Sequence, residues 1–492
     1  MRLVLIVLCA ILTSAAAPQT GSPDRADLAL AHARAFVAAL NTGTPQAARD
    51  YAANHSSAGP DSADRFLALA RRELDGAGAI ESPTYEVRPS GTHLFITGRR
   101  AATGAWQTFQ FQIAPEGDAR LGLIFIAEAL APIALPALNI GRTGFETWLD
   151  GAVSRMGEEQ PFSGVIVVMR DGAPAYRKAF GKANDLFGVP NTLDTRFTMA
   201  SGAKMFTAAA TMRLIEDGKL SLDDTVAQHV RELAGRPEAS RITVRMLLSH
   251  TSGIPDFWDQ TYADVRNQVR TPDQLLAHVI RRFGAPAPGG AYQYSNSNFA
   301  LLGVIIERVA GESFYDVVDR EVFRRAGMTR TDYPIGGEGA RDAVGYNPVY
   351  DAGRVSLDRR EIVAAGEVGG RGRASAAGGA STTVDDVLAF ETAMRSGRVV
   401  RPETFAAMTA LQSRAEDVPD YGYGYGYEVD ARPGFTSWGH GGSAPGAQMR
   451  YRHFPSLGIT YVILSNFNTI APDELAKLLD RLAQREMAAS GG

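Results

Sequence analysis

Cysteine is almost absent from this sequence. The one cysteine among 492 residues is Cys9, and it lies in a segment that we expect to be removed. The mature chain would then contain no thiol, which excludes a disulfide framework and a cysteine nucleophile. Lysine is scarce as well, since only five of the 50 basic residues are lysines. A lysine that falls inside a motif is therefore informative.

The sequence also lacks a strong net charge and a long uninterrupted apolar span. Its formal net charge is -4 and its pI is about 6.1, so no basic surface points to a nucleic-acid partner. The apolar stretch 121–140 contains Glu128, Pro132 and Pro136, and it predicts a strand followed by a proline-stiffened linker. We expect no stable membrane span once the N-terminus has been removed.

The N-terminus has the features of a secretory signal peptide. Met1 and Arg2 precede an apolar stretch from Leu3 to Leu12, and small residues follow it. We place the signal peptide at residues 1–16, which predicts an exported protein, either periplasmic or secreted. An uncleaved membrane anchor is the alternative.

Length and pattern predict more than one domain. Residues 24–130 combine two amphipathic helices, Asp24–Leu40 and Asp64–Leu74, with three short strands. This order predicts a small α+β domain whose pattern is similar to the nuclear transport factor 2-like fold. Residues 131–144 are predicted to be a linker.

Residues 145–488 are predicted to form a larger domain. Strand patterns occur at both of its ends, including 425–429, 448–454 and 458–464, and a helix-rich stretch lies between them. We expect a two-lobed α+β fold, in which an antiparallel sheet is flanked by helices and a helical lobe is inserted.

A serine and a lysine stand three residues apart at the start of a predicted helix. Ser201 opens this helix, which extends to Asp217, so its hydroxyl lies near unpaired backbone N–H groups. Lys204 projects from the same face. A lysine whose pKa is lowered by burial can take the proton of an alcohol and make it a nucleophile. A serine N-cap beside a surface lysine is the alternative, but the apolar flanking residues favour a buried lysine.

A second candidate segment is Tyr294-Ser295-Asn296. A phenol near cationic groups can pass a proton to a leaving group, and an amide can bind both a lysine and a substrate carbonyl. Taken alone, the segment fits a turn between helices better than a site.

A third candidate segment is the glycine-rich run Gly439–Ser443, which is followed by a predicted strand. Glycines allow a close approach to a substrate, and a backbone N–H there can bind an oxyanion. His440 would present a polar group beside the cleft. In isolation the run fits a turn with a surface histidine.

Together the three segments resemble the motifs of the serine β-lactamase and penicillin-binding-protein family, which occur in the order S-x-x-K, then Y-x-N or S-x-N, then K-T-G or H-x-G. The resemblance is closest to the class C β-lactamase-related branch, which includes D-alanyl-D-alanine carboxypeptidases and esterases. It extends over residues 145–485, with further matches at 162–165, 218–224, 247–253, 301–307 and 423–426.

This resemblance implies a serine hydrolase that acts on ester, amide or β-lactam acyl bonds through an acyl-enzyme on Ser201. It assigns proton transfer to Lys204 and Tyr294, and either of them could be the acylation base. It assigns substrate binding to four residues: Asn296, His440, Gly442 and Ser443. The backbone N–H groups of Ser201 and Ser443 would form the oxyanion hole. The resemblance implies neither a cofactor nor a metal.

The sequence departs from the β-lactamase pattern at His440. A lysine in this position supplies a permanent charge for the carboxylate of a β-lactam, whereas histidine is mostly neutral at pH 7. Esterase or D-alanyl-D-alanine carboxypeptidase chemistry is therefore favoured over β-lactamase activity. We interpret a second histidine, His250, as structural, because no acid or other histidine stands at metal-ligand spacing from it.

Other functions fit the sequence less well. An α/β-hydrolase requires a G-x-S-x-G elbow, which the sequence lacks. The eight histidines are scattered without metal spacing. A non-catalytic, penicillin-binding receptor-like module of the same fold is the main alternative, although such a module would not need all four of Ser201, Lys204, Tyr294 and Asn296. The expected partner is a small-molecule or peptide acyl substrate, and the oligomeric state is left open.

Overall fold

The computed structural model describes residues 23–490, except for 59–78, 88–92, 102–103, 115–116, 139, 335–341, 352–353, 363–372, 374, 416–417 and 433. The described residues divide into two compact units. The first contains the described residues up to Ala79, with Thr84–Ile96 and Phe109–Phe125, and the second contains Ile80–Pro83, Thr97–Thr108 and the chain from Ile126 onward.

The N-terminal region begins with two helices, α1 (Pro23–Thr42) and α2 (Pro45–His55). A four-stranded sheet follows, in the order β1-β2-β3-β4, with β1 (Ile80–Val87), β2 (His93–Arg100), β3 (Trp106–Ile113) and β4 (Leu121–Ala129). The rings of Phe109 and Phe111 pack against Phe36, because alternate residues of a strand face the same side. The predicted helix at 24–40 is confirmed, whereas the one at 64–74 lies outside the described residues.

The second unit contains the remaining elements. Its helices are α3 (Arg142–Gly157), α4 (Lys204–Glu216), α5 (Val226–His229), α6 (Val244–Leu248), α7 (Gln260–Val265), α8 (Pro272–Arg282), α9 (Asn296–Ala310), α10 (Phe314–Val318), α11 (Arg324–Ala326), α12 (Val384–Arg395), α13 (Pro402–Met408) and α14 (Ala471–Ser490). Its strands are β5 (Gly164–Arg170), β6 (Ala173–Phe180), β7 (Lys182–Asn184), β8 (Val189–Pro190), β9 (Phe197–Thr198), β10 (Tyr346–Asp351), β11 (Arg354–Ile362), β12 (Ser381–Thr382), β13 (Ser413–Ala415), β14 (Val418–Tyr423), β15 (Glu428–Arg432), β16 (Phe435–Ala444), β17 (Ala447–Phe454) and β18 (Ile459–Ser465).

Eight of these strands form one antiparallel sheet, in the order β13-β14-β15-β16-β17-β18-β5-β6. Strand β5 shows how both faces are buried. Val165 and Val167 belong to the apolar cluster that includes Phe206 of α4, whereas Ile166 belongs to the cluster with Leu475 of α14. Helices therefore cover the sheet on two sides, and the predicted α+β fold with an antiparallel sheet is confirmed.

One detail of the predicted strands is wrong. Only the last two residues of the strand expected at 425–429 lie in a strand, because β14 ends at Tyr423 and β15 starts at Glu428. Gly426 has φ +83°, a left-handed conformation that a strand does not contain. The glycine-rich run precedes the strand predicted at 448–454, which is β17, and the run itself lies within β16.

Among the residues that the structure describes, no helix is long and apolar enough to cross a membrane.

Candidate active site

Ser201 lies in a tight turn directly before α4. Residues Ala200–Ala203 form a 3₁₀ turn, and Lys204 begins the α-helix. Ala200 has φ +45°, which is costly for a residue with a Cβ. Its carbonyl oxygen accepts a hydrogen bond from the backbone N–H of Gly379 at 2.9 Å. The strained turn is thus held from outside by a distant segment of the chain.

Lys204 is completely buried, and its ammonium nitrogen has three oxygen neighbours. Nζ lies 3.1 Å from Ser201 Oγ, 2.7 Å from Asn296 Oδ1 and 2.5 Å from the carbonyl oxygen of Ala377. Burial lowers the pKa of Lys204 to about 7, although the negative charges of Asp256 and Glu428 act in the opposite direction. A fraction of this lysine is therefore neutral at physiological pH.

The orientation of Asn296 is fixed by a carboxylate. Asp256 Oδ2 accepts a hydrogen bond from Asn296 Nδ2 at 2.8 Å and another from the Asn296 backbone nitrogen at 3.0 Å. A carboxylate can only accept, so the amide NH₂ must face Asp256 and the amide oxygen must face Lys204. Asn296 is the first residue of α9, where its backbone N–H needs a partner outside the helix.

Tyr294 stands at the edge of the same group. Its ring centroid is 4.9 Å from Lys204 Nζ, and the residue is 36% exposed, so it is accessible from solvent. Desolvation raises the pKa of the Tyr294 phenol well above its usual value, while a hydrogen bond with Ser201 opposes the shift. The phenol therefore keeps its proton at neutral pH.

Strand β16 packs against the turn that holds Ser201. A Cβ added to Gly442 would lie 2.2 Å from the carbonyl oxygen of Met199 and 3.1 Å from the backbone nitrogen of Ser201. Only glycine permits this approach. The structure thus brings Gly442 and the following residue, Ser443, next to the backbone of Ser201.

His440 lies on β16, but it is buried and its ring is engaged inside the protein. Nδ1 is 2.5 Å from the carbonyl oxygen of Gly441, and Nε2 is 2.7 Å from the hydroxyl of Tyr423. Because a carbonyl oxygen only accepts, Nδ1 carries the proton and Nε2 accepts from Tyr423. Burial lowers the pKa of His440, although the nearby carboxylate of Glu428 raises it. The ring is therefore neutral at pH 7.

Sequence reasoning missed four groups that contact the predicted site residues, namely Asp256, the carbonyl of Ala377, Tyr423 and Glu428. Glu428 Oε1 accepts a hydrogen bond from the backbone nitrogen of Gly441 at 3.1 Å. The sequence alternates tyrosine and glycine from Tyr421 to Tyr427, and this pattern could have pointed to Tyr423. The other three left no pattern in the sequence, because their contacts join residues far apart in the chain.

The described residues include no group of three or more His, Cys, Asp or Glu side chains arranged to bind a metal ion.

The fold and this group of side chains define an enzyme of the serine hydrolase class. The Beta-lactamase family model matches residues 149–485, so the chain belongs to this family. The predicted family and the predicted class of enzyme are both confirmed.

Individual proteins agree with this assignment. The chain is 27% identical over 324 residues to the putative penicillin-binding protein PbpX of Bacillus subtilis, which covers 63% of this chain and 72% of that protein. It is 26% identical over 321 residues to a D-aminopeptidase of Brucella canis, covering 64% of this chain and 58% of that protein. The crystal structure of a penicillin-binding protein from Bacillus halodurans matches with a TM-score of 0.58 at 27% identity, covering 65% of this chain and 96% of that one.

Proposed function

We propose that the protein hydrolyses acyl compounds through an acyl-enzyme on Ser201, with Lys204 as the base that activates it. The observation that carries this proposal is the set of three oxygen neighbours around the buried Lys204 nitrogen. A neutral amine has two N–H groups and one lone pair. When Asn296 Oδ1 and the Ala377 carbonyl accept the two N–H groups, the lone pair faces the Ser201 hydroxyl and can take its proton.

Tyr294 is proposed as the acid that protonates the leaving group. Its raised pKa argues against a tyrosinate base and leaves Lys204 as the acylation base. The proton of Ser201 passes to Lys204 as the oxygen attacks the carbonyl carbon. When the bond to the leaving group breaks, Tyr294 gives up its own proton and recovers one from the Lys204 ammonium.

The backbone N–H groups of Ser201 and Ser443 are proposed as the oxyanion hole. The close approach of Gly442 to the Ser201 turn supports this assignment, since it brings the two backbone segments side by side. Such a donor is often worth about 10²–10³ in rate.

We infer that the substrates are esters or amides without a carboxylate next to the scissile bond. The support is that His440 is neutral and that both of its ring nitrogens are used within the protein. Glu428 and Asp256 add negative charge near Lys204, which disfavours an anionic substrate. A D-aminopeptidase among the relatives is consistent with amide chemistry. This inference favours esterase or amidase activity over β-lactamase and carboxypeptidase activity.

Export remains part of the proposal. The predicted signal peptide, residues 1–16, lies outside the described residues. An exported location, periplasmic or secreted, would expose the site to small-molecule or peptide acyl substrates of the envelope. The domain boundaries at 24–130 and 131–144, and the likeness to the nuclear transport factor 2-like fold, also remain predictions.

The decisive experiment measures turnover of p-nitrophenyl acetate, p-nitrophenyl butyrate and nitrocefin by the full mature chain, with the intact mass recorded during reaction. We expect ester turnover that is lost in Ser201→Ala, slow nitrocefin turnover, and an acyl mass increase that depends on Ser201. Rapid nitrocefin turnover would contradict the inferred substrate class. A chain that neither turns over these compounds nor forms an adduct would instead be a receptor-like module of the same fold.

A further inference from the structure

His250 binds the chain on both sides of Tyr294. Its carbonyl oxygen accepts a hydrogen bond from the backbone nitrogen of Gln293 at 2.9 Å. Its Nδ1 accepts a hydrogen bond from the backbone nitrogen of Ser295 at 3.2 Å. One residue therefore fixes the backbone immediately before and immediately after Tyr294.

The ring of His250 also packs against the phenol of Tyr294. The two ring centroids are 4.4 Å apart with planes tilted by 35°. Tyr423 and Phe299 lie at 4.6 Å and 5.2 Å from the same imidazole. His250 is fully buried, so the ring acts as a rigid support in a well-packed site.

The hydrogen bonds set a single tautomer of His250. The backbone N–H of Ser295 can only donate, so Nδ1 carries no proton. The side chain of Asn298 is a second donor to Nδ1, with Nδ2 at 3.0 Å, and its own Oδ1 accepts from Ser252 Oγ at 2.5 Å. Protonation of Nδ1 would break both bonds, and burial beside Lys204 and His440 holds the pKa of His250 well below its usual value.

Two features of His250 lower the stability of the folded state. Its φ is +58°, a left-handed conformation unusual for histidine. Its Nε2, which carries the ring proton, is buried and has no hydrogen-bond partner among the described residues. Backbone strain and a buried donor that no described residue pairs both reduce stability, and such features concentrate at functional sites.

We propose that His250 is a positioning residue that holds the Tyr294 phenol in line with the leaving group, through its two backbone contacts and its ring. This proposal rests on the proposed function, in which Tyr294 is the proton donor. It goes beyond the structural role expected from the sequence. The consequence is that His250 controls proton delivery rather than substrate binding or the attack by Ser201.

The rate depends more strongly on proton delivery when the leaving group is a poorer one. p-Nitrophenolate leaves without help, whereas ethoxide needs a proton as the C–O bond breaks. A variant that misplaces Tyr294 will therefore lose more kcat/KM on ethyl butyrate than on p-nitrophenyl butyrate. A change that only loosens the fold will reduce the active fraction and so lower both rates equally.

The experiment compares His250→Phe, His250→Asn and Tyr294→Phe on these two esters, with thermal melting of each variant. Phenylalanine keeps a ring but has no acceptor for the Ser295 N–H. Asparagine supplies an acceptor oxygen and tolerates a left-handed φ. We expect His250→Phe to lose about tenfold more kcat/KM on the ethyl ester than on the nitrophenyl ester. His250→Asn, which supplies the acceptor but lacks the ring, should restore part of this difference.

Two controls decide the interpretation. In the Tyr294→Phe background, His250→Phe should cause no further loss that depends on the leaving group. If His250→Phe does not fold, Asn298→Leu, which removes one donor to Nδ1, is expected to show a smaller loss of the same kind.

An equal loss on both esters in His250→Phe, with a leaving-group-dependent loss in Tyr294→Phe, would overturn the role of His250 and leave the proposed function intact. No leaving-group dependence in Tyr294→Phe would overturn the acid role of Tyr294, and the role of His250 with it. Loss of all turnover in Ser201→Ala tests the acyl-enzyme independently of both.

Discussion

The carboxylate of Asp256 accepts two hydrogen bonds from Asn296, one from its backbone nitrogen at 3.0 Å and one from its side-chain nitrogen at 2.8 Å. The other oxygen of Asp256 accepts from the backbone nitrogen of Trp258 at 3.0 Å. This carboxylate therefore ties the start of α9 to the loop after α6 and aims the amide oxygen of Asn296 at Lys204. It also adds a negative charge that raises the pKa of Lys204.

Replacement of Asp256 by asparagine is expected to change both the rate and its pH dependence. An amide in place of the carboxylate weakens hydrogen bonds worth about 1.5–3 kcal/mol, so kcat/KM should fall about tenfold or more. Loss of the negative charge should also lower the pKa of Lys204 and move the rise in activity to lower pH. The measurement is kcat/KM for p-nitrophenyl butyrate across pH.

The matched control for this change is Asp264→Asn. Asp264 is an exposed carboxylate nearby in the chain, bound to the side chain of Gln260. Its replacement should leave the pH profile where it is. An Asp256→Asn profile that coincides with that of the wild type would contradict the electrostatic link to Lys204.

The wild-type pH profile itself tests the role of Lys204. Only the neutral amine can accept the Ser201 proton, and the pKa of Lys204 is lowered to about 7. We therefore expect kcat/KM to be low below this pH and to rise as the pH increases through it. Lys204→Arg, which stays protonated throughout, should be inactive at every pH tested. A rate that is independent of pH between 5.5 and 8.5, an interval of about 1.5 units on each side of this value, would argue against a lysine base.

Substitution of Gly442 by alanine should reduce activity and stability together. The new Cβ would lie 2.2 Å from the backbone oxygen of Met199, so β16 must move away from the Ser201 turn. Overpacking of this kind costs about 1–3 kcal/mol. Thermal melting and ester turnover measure the two effects.

Gly151→Ala is the control for the glycine substitution. Gly151 lies within α3 and has open space around its Cβ position. Alanine there should raise helix stability by about 1 kcal/mol and leave turnover unchanged. If Gly442→Ala kept full activity, the close contact between β16 and the Ser201 turn would not be required for turnover.

The guanidinium of Arg450 offers a test of the oxyanion hole. It donates a hydrogen bond to the carbonyl oxygen of Gly442 at 2.9 Å and is paired with Asp473. That carbonyl belongs to the same peptide unit as the N–H of Ser443, so the cation should strengthen this donor. Arg450→Gln is expected to lower kcat about tenfold with little change in KM, since a bond to a charged donor is worth about 1.5 kcal/mol or more.

Arg170→Gln is the comparison for Arg450. Arg170 forms an ion pair with Glu486 at the surface. Loss of this ion pair should change neither kcat nor KM. An increase in KM with unchanged kcat in Arg450→Gln would show that this arginine serves ground-state binding instead.

The local sequence was sufficient to predict the contact between Ser201 and Lys204 at the centre of the site. Ser201 and Lys204 are one helical turn apart, so their proximity follows from backbone geometry. Successive side chains of β5 enter the two apolar clusters in turn. This also follows from the two-residue repeat of a strand. The break in the strand at Gly426 was not predicted, because the alternation of tyrosine and glycine is compatible with a continuous strand. Only the positive φ of Gly426 ends the strand there.

By itself, the sequence determined the family, the antiparallel sheet with its covering helices, and the serine–lysine pair, because each depends on short-range periodicity or on motifs read in order. Only the tertiary structure decided which groups act on that pair. Asp256 reaches Asn296 across 40 residues, and Ala377 reaches Lys204 across 173. His250 lies 45 residues before Ser295, whose backbone it binds. Such contacts depend on how distant segments of the chain fold against each other, so a pattern confined to neighbouring residues cannot predict them.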